Sequence, residues 1–221
     1  MLTIAYLGYA LAQAALAMWA WRLYRRRPSA GALTLLLPIA AVVYDNAMVA
    51  AGSLIGDGQM LEILSFPRFL GHALLTPVWI VTAVAFATRA GALAGRRTTW
   101  VRGSWILYVV LVAVGLVNSV VLLRYELVEQ ADLVYYTNGG GIPGPPLPSV
   151  IMVLVLIAGG AIVFKRTRWP WMLVGSVFEL VAAAIPTAVV GFVVANSGEV
   201  VLAAALVATE AFLQRLSSPS T

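Results

Sequence analysis

The chain has 221 residues, of which 62% are hydrophobic and only 10% are charged. A soluble domain carries about 25% charged residues, so this composition excludes an ordinary soluble protein and predicts one that lies mostly within a lipid bilayer. The sequence contains no cysteine and a single histidine, His72. Disulfides, thiolate metal sites and multi-histidine metal centres are therefore excluded, and we expect no metal and no other cofactor.

Seven apolar segments follow one another along the chain, and each is close to the roughly 20 residues that a membrane-spanning helix needs. They cover residues 2–21, 31–55, 66–88, 104–123, 148–164, 170–195 and 199–214. No basic region precedes the first segment, so we expect a retained helix and not a cleaved signal peptide. The sequence thus predicts an all-α integral membrane protein. We expect a single domain, residues 1–221, folded as a seven-transmembrane-helix bundle in the cell membrane.

The basic residues predict the orientation of this bundle. Most of the fourteen lie in the connections after the first, third, fifth and seventh segments. They are Arg22, Arg25, Arg26, Arg27, Arg89, Arg96, Arg97, Arg102, Lys165, Arg166, Arg168 and Arg215. The positive-inside rule places these connections in the cytoplasm, with the N-terminus outside and the C-terminus inside. The net charge of +5 therefore needs no nucleic-acid partner to explain it.

The opposite connections carry most of the acidic residues, Glu199 among them, and the longest of these connections covers residues 124–149. Its consecutive glycines and its prolines exclude a continuous helix. Within it, "LVEQADLVYY" predicts one or two helical turns at the membrane surface, with Tyr135 and Tyr136 at headgroup level. The loop is either a lid or portal over a substrate site or a plain connector.

Three acidic side chains fall within the predicted spans: Asp45, Glu179 and Glu210. Each costs roughly 2.5–3.5 kcal/mol at the bilayer centre on insertion scales, so such residues usually face an interior cavity or a partner. The alternative is that each merely fixes the packing of its helix. Asn118 is a further polar side chain within a predicted span.

A polar cluster around Asp45 is predicted in the outer half of the bundle. Arg68 and His72 are four residues apart and therefore lie on one side of the third helix. Helical rise places them at a depth close to that of Asp45, whose neighbour Asn46 joins the same cluster. One turn deeper, Pro77 frees a backbone carbonyl group that a polar neighbour could use.

The sequence lacks the motifs of several reaction classes: a G-x-S-x-G elbow, a Walker A loop and a dinucleotide fingerprint. Acid–base chemistry remains, since burial in an apolar pocket keeps a carboxyl group protonated and able to act as an acid. Aromatic residues lie close to the charged positions along the chain, namely Tyr44, Phe69, Trp79 and Phe178. Aromatic faces stabilise a cation by about 0.5–2 kcal/mol each, which would suit a carbocation.

The acidic residues in "VVYDNAMVAAG" and "LVATEAFLQR" give the chain a resemblance to a known family. A chain of this length with seven spans, one acid in the second and one in the seventh, resembles the small integral-membrane terpene cyclases of meroterpenoid biosynthesis. In that family the two acids are typically glutamate and aspartate, and here they are exchanged. The resemblance implies that Asp45 and Glu210 protonate a prenyl chain or its terminal epoxide, which then cyclises through carbocations without a metal.

The resemblance also implies roles for the remaining candidates. Asp45 is the preferred proton donor. Glu210 either shares the proton-donating role or orients the donor. A protonated His72 increases the acidity of Asp45, and Arg68 binds a polar or anionic headgroup. Glu179 and the aromatic residues shape the cavity and stabilise the cation. The substrate contacts expected on this basis are Tyr44, Asn46, Arg68, Phe69, His72, Trp79, Asn118, Phe178 and Glu179, and the partners are a prenylated substrate and membrane lipids.

Other classes compete with this interpretation. A small proton-coupled transporter could use the same carboxyl groups and His72 as a proton relay. A structural membrane protein would use Asp45 for assembly alone, and another lipid-modifying enzyme, such as a headgroup hydrolase, would react near Arg68. A rhodopsin-like photoreceptor needs a lysine in the seventh span, whereas the only lysine here is Lys165.

Overall fold

The computed structural model describes residues 1–144, 146–185 and 193–217. The helices of this part are α1 (Leu2–Arg26), α2 (Ala30–Ile55), α3 (Gln59–Leu74), α4 (Trp79–Arg89), α5 (Arg97–Leu116), α6 (Leu147–Thr167), α7 (Trp171–Ala184) and α8 (Val193–Leu216). The strands are β1 (Tyr125–Gln130) and β2 (Leu133–Asn138). One-turn 3₁₀ helices cover Thr76–Val78 and Ala94–Arg96, and a π-helical turn covers Val117–Val121.

The described helices form a bundle whose length and apolarity suit a membrane. Six helical segments are long and apolar enough to cross a bilayer, and α3 and α4 together make one of them, Gln59–Arg89. The segment α7 is apolar but has only 14 residues. The prediction of an all-α membrane bundle is confirmed at this level, with six long segments and a seventh short one. Part of the predicted sixth span, residues 186–192, lies outside the described residues.

The third span is broken at Pro77 into two helices. Proline lacks the backbone N–H that would continue the helix, and the chain turns through Thr76–Val78 as a 3₁₀ helix before α4 begins. The Thr76 hydroxyl donates a hydrogen bond of 2.6 Å to the carbonyl oxygen of His72. This break places His72 at the end of α3 and Trp79 at the start of α4.

The arginine-bearing ends of α1, α4 and α8 meet at one end of the bundle, which we call the basic end. Arg27 Nη1 donates a 2.8 Å hydrogen bond to the backbone oxygen of Gln214. Arg89 Nη1 donates one of 2.5 Å to Glu210 Oε2. The basic ends of α1, α4 and α8, which the sequence groups together by their charge, therefore lie together in space.

The main apolar core lies between the basic end and the middle of the bundle, where α2 packs against α4. Trp79, only 2% exposed, donates a hydrogen bond of 3.2 Å from its indole nitrogen to the carbonyl oxygen of Leu35. The buried hydroxyl groups of Thr82 and Thr34 pair at 2.9 Å. These bonds satisfy the polar atoms that the helix contact would otherwise bury without partners.

The segment that the sequence predicts as interfacial helical turns is a β-hairpin instead. Strands β1 and β2 pair antiparallel, with Tyr125 opposite Asn138 and Gln130 opposite Leu133. The two-residue turn has Ala131 at φ 53°. The helical prediction is wrong because the second half of the segment, "LVYYTN", is rich in the β-branched and aromatic residues that favour strands, and it pairs with the first half. Tyr135 and Tyr136, predicted at headgroup level, are buried in the protein.

The hairpin is docked onto the ends of α1 and α2 opposite the basic end, which we call the hairpin end. The Asp132 carboxylate accepts hydrogen bonds from the backbone N–H groups of Leu2 and Thr3, at the first turn of α1. The Ser53 hydroxyl donates a 2.6 Å bond to the Asp132 carbonyl oxygen. The hairpin is therefore fixed to two helices and acts as a cap on the bundle.

Substitution of Gly52 by alanine is expected to push the hairpin away from α2. An added Cβ would lie 1.8 Å from the backbone oxygen of Val134, a clash that flexible side chains cannot relieve. Overpacking typically costs 1–3 kcal/mol, so we expect the free energy of unfolding in detergent to fall by about 2 kcal/mol. Gly8→Ala is the matched control, since its Cβ would meet nothing within 4 Å. Equal stability of the two variants would contradict the docking described here.

Candidate functional site

A cavity of about 470 Å³ lies at the hairpin end, within the size range of small-molecule sites, about 300–1,000 Å³. All eight described helices, the π-helical turn and strand β2 contribute to its walls. Three acidic side chains, two basic ones and five aromatic rings line it. They are Asp45, Glu179, Glu199, Arg68, His72, Tyr6, Phe69, Trp79, Tyr135 and Tyr136.

Asp45 and Arg68 form a buried ion pair in the wall of this cavity. Arg68 Nε donates a hydrogen bond of 2.8 Å to Asp45 Oδ1, and the two residues are 9% and 6% exposed. His72 Nε2 lies 3.7 Å from the same carboxylate oxygen. The predicted grouping of these three side chains is confirmed, and the depth and i, i+4 arguments were sufficient to find it.

The hairpin holds Arg68 from the opposite side. Arg68 Nη1 donates a hydrogen bond of 3.2 Å to the carbonyl oxygen of Tyr136. The guanidinium carbon also lies 5.7 Å from the centre of the Phe69 ring, within the range of a cation–π contact. Arg68 thus contacts a carboxylate, a carbonyl and a ring, an arrangement that serves to fix the cap as well as to line the cavity.

Asn46 belongs to a chain of amide groups behind the cavity wall. Its Nδ2 donates to Gln13 Oε1 at 3.0 Å and to the Val42 carbonyl oxygen at 3.1 Å, and its Oδ1 accepts a 2.8 Å bond from Asn196 Nδ2. Asn46 is fully buried and does not line the cavity, whereas Asn196 does. The predicted contact of Asn46 with substrate is therefore replaced by a structural link between α1, α2 and α8.

Glu199 is a cavity residue that the sequence places elsewhere. The sequence assigns it to an outer connection, but α8 begins at Val193 and carries Glu199 in its second turn. The assignment to a connection is wrong. The polar run "NSGE" has the composition of a loop, but in the structure it is part of α8, its Asn196 bonds to α2 and its Glu199 lines the cavity.

Glu179 on α7 lies against α8, the helix that carries Glu199, at a point where the two helices are in close contact. A Cβ on Gly198 would lie 2.3 Å from Glu179 Oε2, so only glycine leaves room there for the carboxyl group. Among the described residues, Glu179 Oε2 and Glu199 Oε2 are both buried without a hydrogen-bond partner. Such unpaired buried oxygens are rare and call for an explanation, which a catalytic role would supply.

Glu210 lies far from this group of side chains. It follows Glu199 by eleven positions on α8, which corresponds to about 16 Å of helical rise. At the basic end Glu210 Oε2 accepts the bond from Arg89 given above, and its Oε1 accepts a 2.8 Å bond from Gln214 Nε2. The structure does not bring Glu210 and Asp45 into one cavity, because α8 carries Glu210 to the basic end while Asp45 on α2 lines the cavity at the hairpin end.

Of four other residues predicted to contact substrate, two line the cavity and two do not. Trp79 lines the deep end of the cavity. Asn118 also lines it, and its Oδ1 accepts a 2.6 Å bond from Ile142 N–H, which anchors the glycine-rich loop. The Tyr44 hydroxyl donates instead to the carbonyl oxygen of Leu64 at 2.9 Å. Phe178 is 44% exposed on the outer surface of the bundle. Neither Tyr44 nor Phe178 lines the cavity, because each points away from it on its helix.

The remaining cavity residues could not be singled out from the sequence. Tyr6 on α1 is 1% exposed and Tyr135 on β2 is 3% exposed, although both belong to segments where interfacial tyrosine is ordinary. Burial raises the pKa of the Tyr135 phenol, so its hydroxyl is present as a neutral donor. The only signal for the hairpin tyrosines is that their segment, "LVYYTN", is rich in the aromatic and β-branched residues that favour a strand.

This arrangement provides acids, a fixed ion pair and aromatic faces around one apolar space. In the part of the chain that the structure describes, no three His, Asp or Glu side chains are grouped so as to hold a metal ion. What the described residues can supply is proton transfer and stabilisation of positive charge. No protein-family model matches the chain, and no curated protein is significantly similar to it.

Proposed function

We propose that the protein is a membrane-embedded terpene cyclase, which protonates a prenyl chain at an alkene or terminal epoxide and cyclises it through carbocations. The observation that carries this proposal is the placement of two carboxyl groups, Glu179 and Glu199, with unpaired buried oxygens in a cavity lined by aromatic rings. The reaction class is the one implied by the family resemblance. The acids that we assign to it are different.

The proton donor in this proposal is Glu179 or Glu199 and not Asp45. Asp45 is ion-paired with Arg68 at 2.8 Å, and a carboxylate in such a pair accepts hydrogen bonds. An unpaired carboxyl group in an apolar site is favoured in its neutral form, which can give up a proton. Glu179 and Glu199 meet that condition among the cavity residues.

The proposed reaction needs no co-reactant. The carboxyl O–H bond breaks as its proton forms a C–H bond with the terminal alkene, or protonates the epoxide oxygen while a C–O bond breaks. The resulting cation accepts the electron pair of the next alkene, and a ring C–C bond forms. A base then removes a proton from the last cation, so the product is an isomer of the substrate. Asp45 with His72, 3.7 Å apart, is the base that the cavity offers.

The aromatic residues support the cationic stage of this reaction. Tyr6, Phe69, Trp79, Tyr135 and Tyr136 line the same space as the carboxyl groups. Each ring face stabilises a desolvated cation by up to about 2 kcal/mol.

We further propose a cell-membrane location with the N-terminus outside and the basic end in the cytoplasm. The support is the positive-inside rule, because the arginine-bearing ends of α1, α4 and α8 meet at the basic end. In this orientation the cavity lies in the outer half of the bilayer. Prenylated lipids would reach it from the membrane.

The test is cyclisation in deuterated water. Membranes that contain the protein are incubated with prenylated and epoxyprenylated compounds, and products are analysed by chromatography with mass detection. A product isomeric with the substrate supports the proposal, and an unmodified alkene substrate must gain one non-exchangeable deuterium. Failure of well-folded protein to convert any compound would overturn the proposal and favour a proton-coupled transporter, which is then tested by proton flux.

A further inference from the structure

A second, smaller cavity of about 210 Å³ lies in a groove between α1 and α8. Its residues on α8 are Ala211, Gln214 and Arg215, which follow Glu199 by twelve to sixteen positions. Helical rise therefore separates this groove from the aromatic cavity by about 18–24 Å. The groove lies at the basic end and has no part in the proposed reaction.

Both walls of the groove change from apolar to cationic toward the C-terminal ends of α1 and α8. On α1, Trp19, Leu23 and Arg26 follow at intervals of four and three residues, which places them on one face of the helix. On α8, Ala211 and Arg215 follow at an interval of four. The arginines thus lie at the end of the groove nearest the surface of the basic end. The apolar side chains lie one to two helical turns further into the bundle.

Hydrogen bonds hold the two walls together. Arg27 Nη1 donates to the Gln214 backbone oxygen at 2.8 Å, and Gln214 Nε2 donates to the Leu23 carbonyl oxygen at 3.1 Å. The nearby carboxylate of Glu210 is bonded to Arg89 and to Gln214. The groove is therefore a formed feature of the α1–α8 contact.

The charge of the groove is of one sign. Arg26, Arg27 and Arg215 line it, and no acidic side chain lines it within the described residues. Arg26 and Arg215 are exposed. The two exposed guanidinium groups of Arg26 and Arg215 above an apolar floor match an amphiphile that has an anionic head and a hydrocarbon tail.

We propose that this groove is a binding site for the headgroup of an anionic phospholipid, with the phosphate at Arg26 and Arg215 and an acyl chain along Trp19 and Leu23. A lipid is the occupant because the floor is apolar and α1 is mostly exposed on the outside of the bundle. Basic pockets between spanning helices at the cytoplasmic side bind such headgroups. The inference does not depend on the proposed enzyme activity.

The test compares phospholipids retained by the purified full chain. Protein reconstituted in vesicles of phosphatidylcholine and phosphatidylglycerol, about four to one, is extracted in mild detergent, and bound lipid is quantified by mass spectrometry. We expect the wild type to retain phosphatidylglycerol preferentially. Each basic residue near the membrane surface contributes about five-fold to such binding, so Arg26→Gln with Arg215→Gln should lower retention about 25-fold.

The matched control is Arg97→Gln with Arg166→Gln, which removes the same charge from exposed positions of α5 and α6. Retention within two-fold of wild type in this control supports a specific groove. An equal loss in both double variants would mean that only the overall charge matters and would overturn the proposal. Absence of any preference in the wild type, or displacement of the lipid by millimolar inorganic phosphate, would overturn it as well.

Discussion

Replacement of Glu199 or Glu179 by glutamine is expected to lower the rate of prenyl-chain cyclisation about 100-fold or more, with little change in fold. Glutamine keeps the size of the side chain but has no acidic proton to transfer. General acid catalysis typically contributes 10²–10⁴-fold to a rate, which sets the expected loss. The measurement is the initial rate of formation of the isomeric product by each variant in membranes, normalised to the amount of folded protein.

Two further carboxyl groups provide the comparison. Glu129→Gln changes an exposed carboxyl group on the hairpin that does not line the cavity, and it should leave the rate unchanged. Glu210→Gln separates two interpretations. The family resemblance implies that it abolishes turnover, whereas its pairing with Arg89 at the basic end implies lower stability with turnover retained. Full activity of both Glu179→Gln and Glu199→Gln would contradict the assignment of the acids.

The cluster around Asp45 could be predicted from the sequence because it depends on local geometry. Arg68 and His72 must share a face of α3, and the lengths of α2 and α3 bring that face to the depth of Asp45. Hydropathy likewise predicts the long spans, since each is a single apolar run. These features follow from helical rise and the thickness of the bilayer alone.

Glu199 and the hairpin could not be predicted because tertiary contacts decide them. The run "NSGE" has the composition of a loop, and it is helical because Asn196 bonds to Asn46 and Gly198 admits the Glu179 carboxyl group. The hairpin closes the cavity through Gly52 and Arg68, partners distant in sequence. The hydropathy of the sequence does not indicate either contact. The family resemblance implies a role for Glu210 beside Asp45, and the sequence gives no contrary sign, because a buried charge on a helix does not reveal which end of the bundle its partners occupy.

Asp45→Asn is expected to lower the free energy of unfolding by about 3–5 kcal/mol, one of the largest stability effects in the protein. The substitution leaves the guanidinium group of Arg68, 9% exposed, without its counter-ion at 2.8 Å. Arg68 also holds the Tyr136 carbonyl oxygen, so the hairpin should loosen with it. The measurement is unfolding of the purified protein in mixed detergent micelles. Asp57→Asn, at an exposed carboxyl group, should change stability by less than about 0.5 kcal/mol.

A double-mutant cycle decides whether the ion pair is the cause. Arg68→Gln alone buries an uncompensated carboxylate and should be about as destabilising as Asp45→Asn, while the double variant Asp45→Asn with Arg68→Gln places two neutral amides side by side. Because the charge penalty is then gone, the double variant should be more stable than either single variant, with a coupling free energy of about 2 kcal/mol or more. Simple additivity would show that Asp45 and Arg68 act independently. Asp45 would then be available as an acid, and the donor role that the resemblance implies for it would have to be restored.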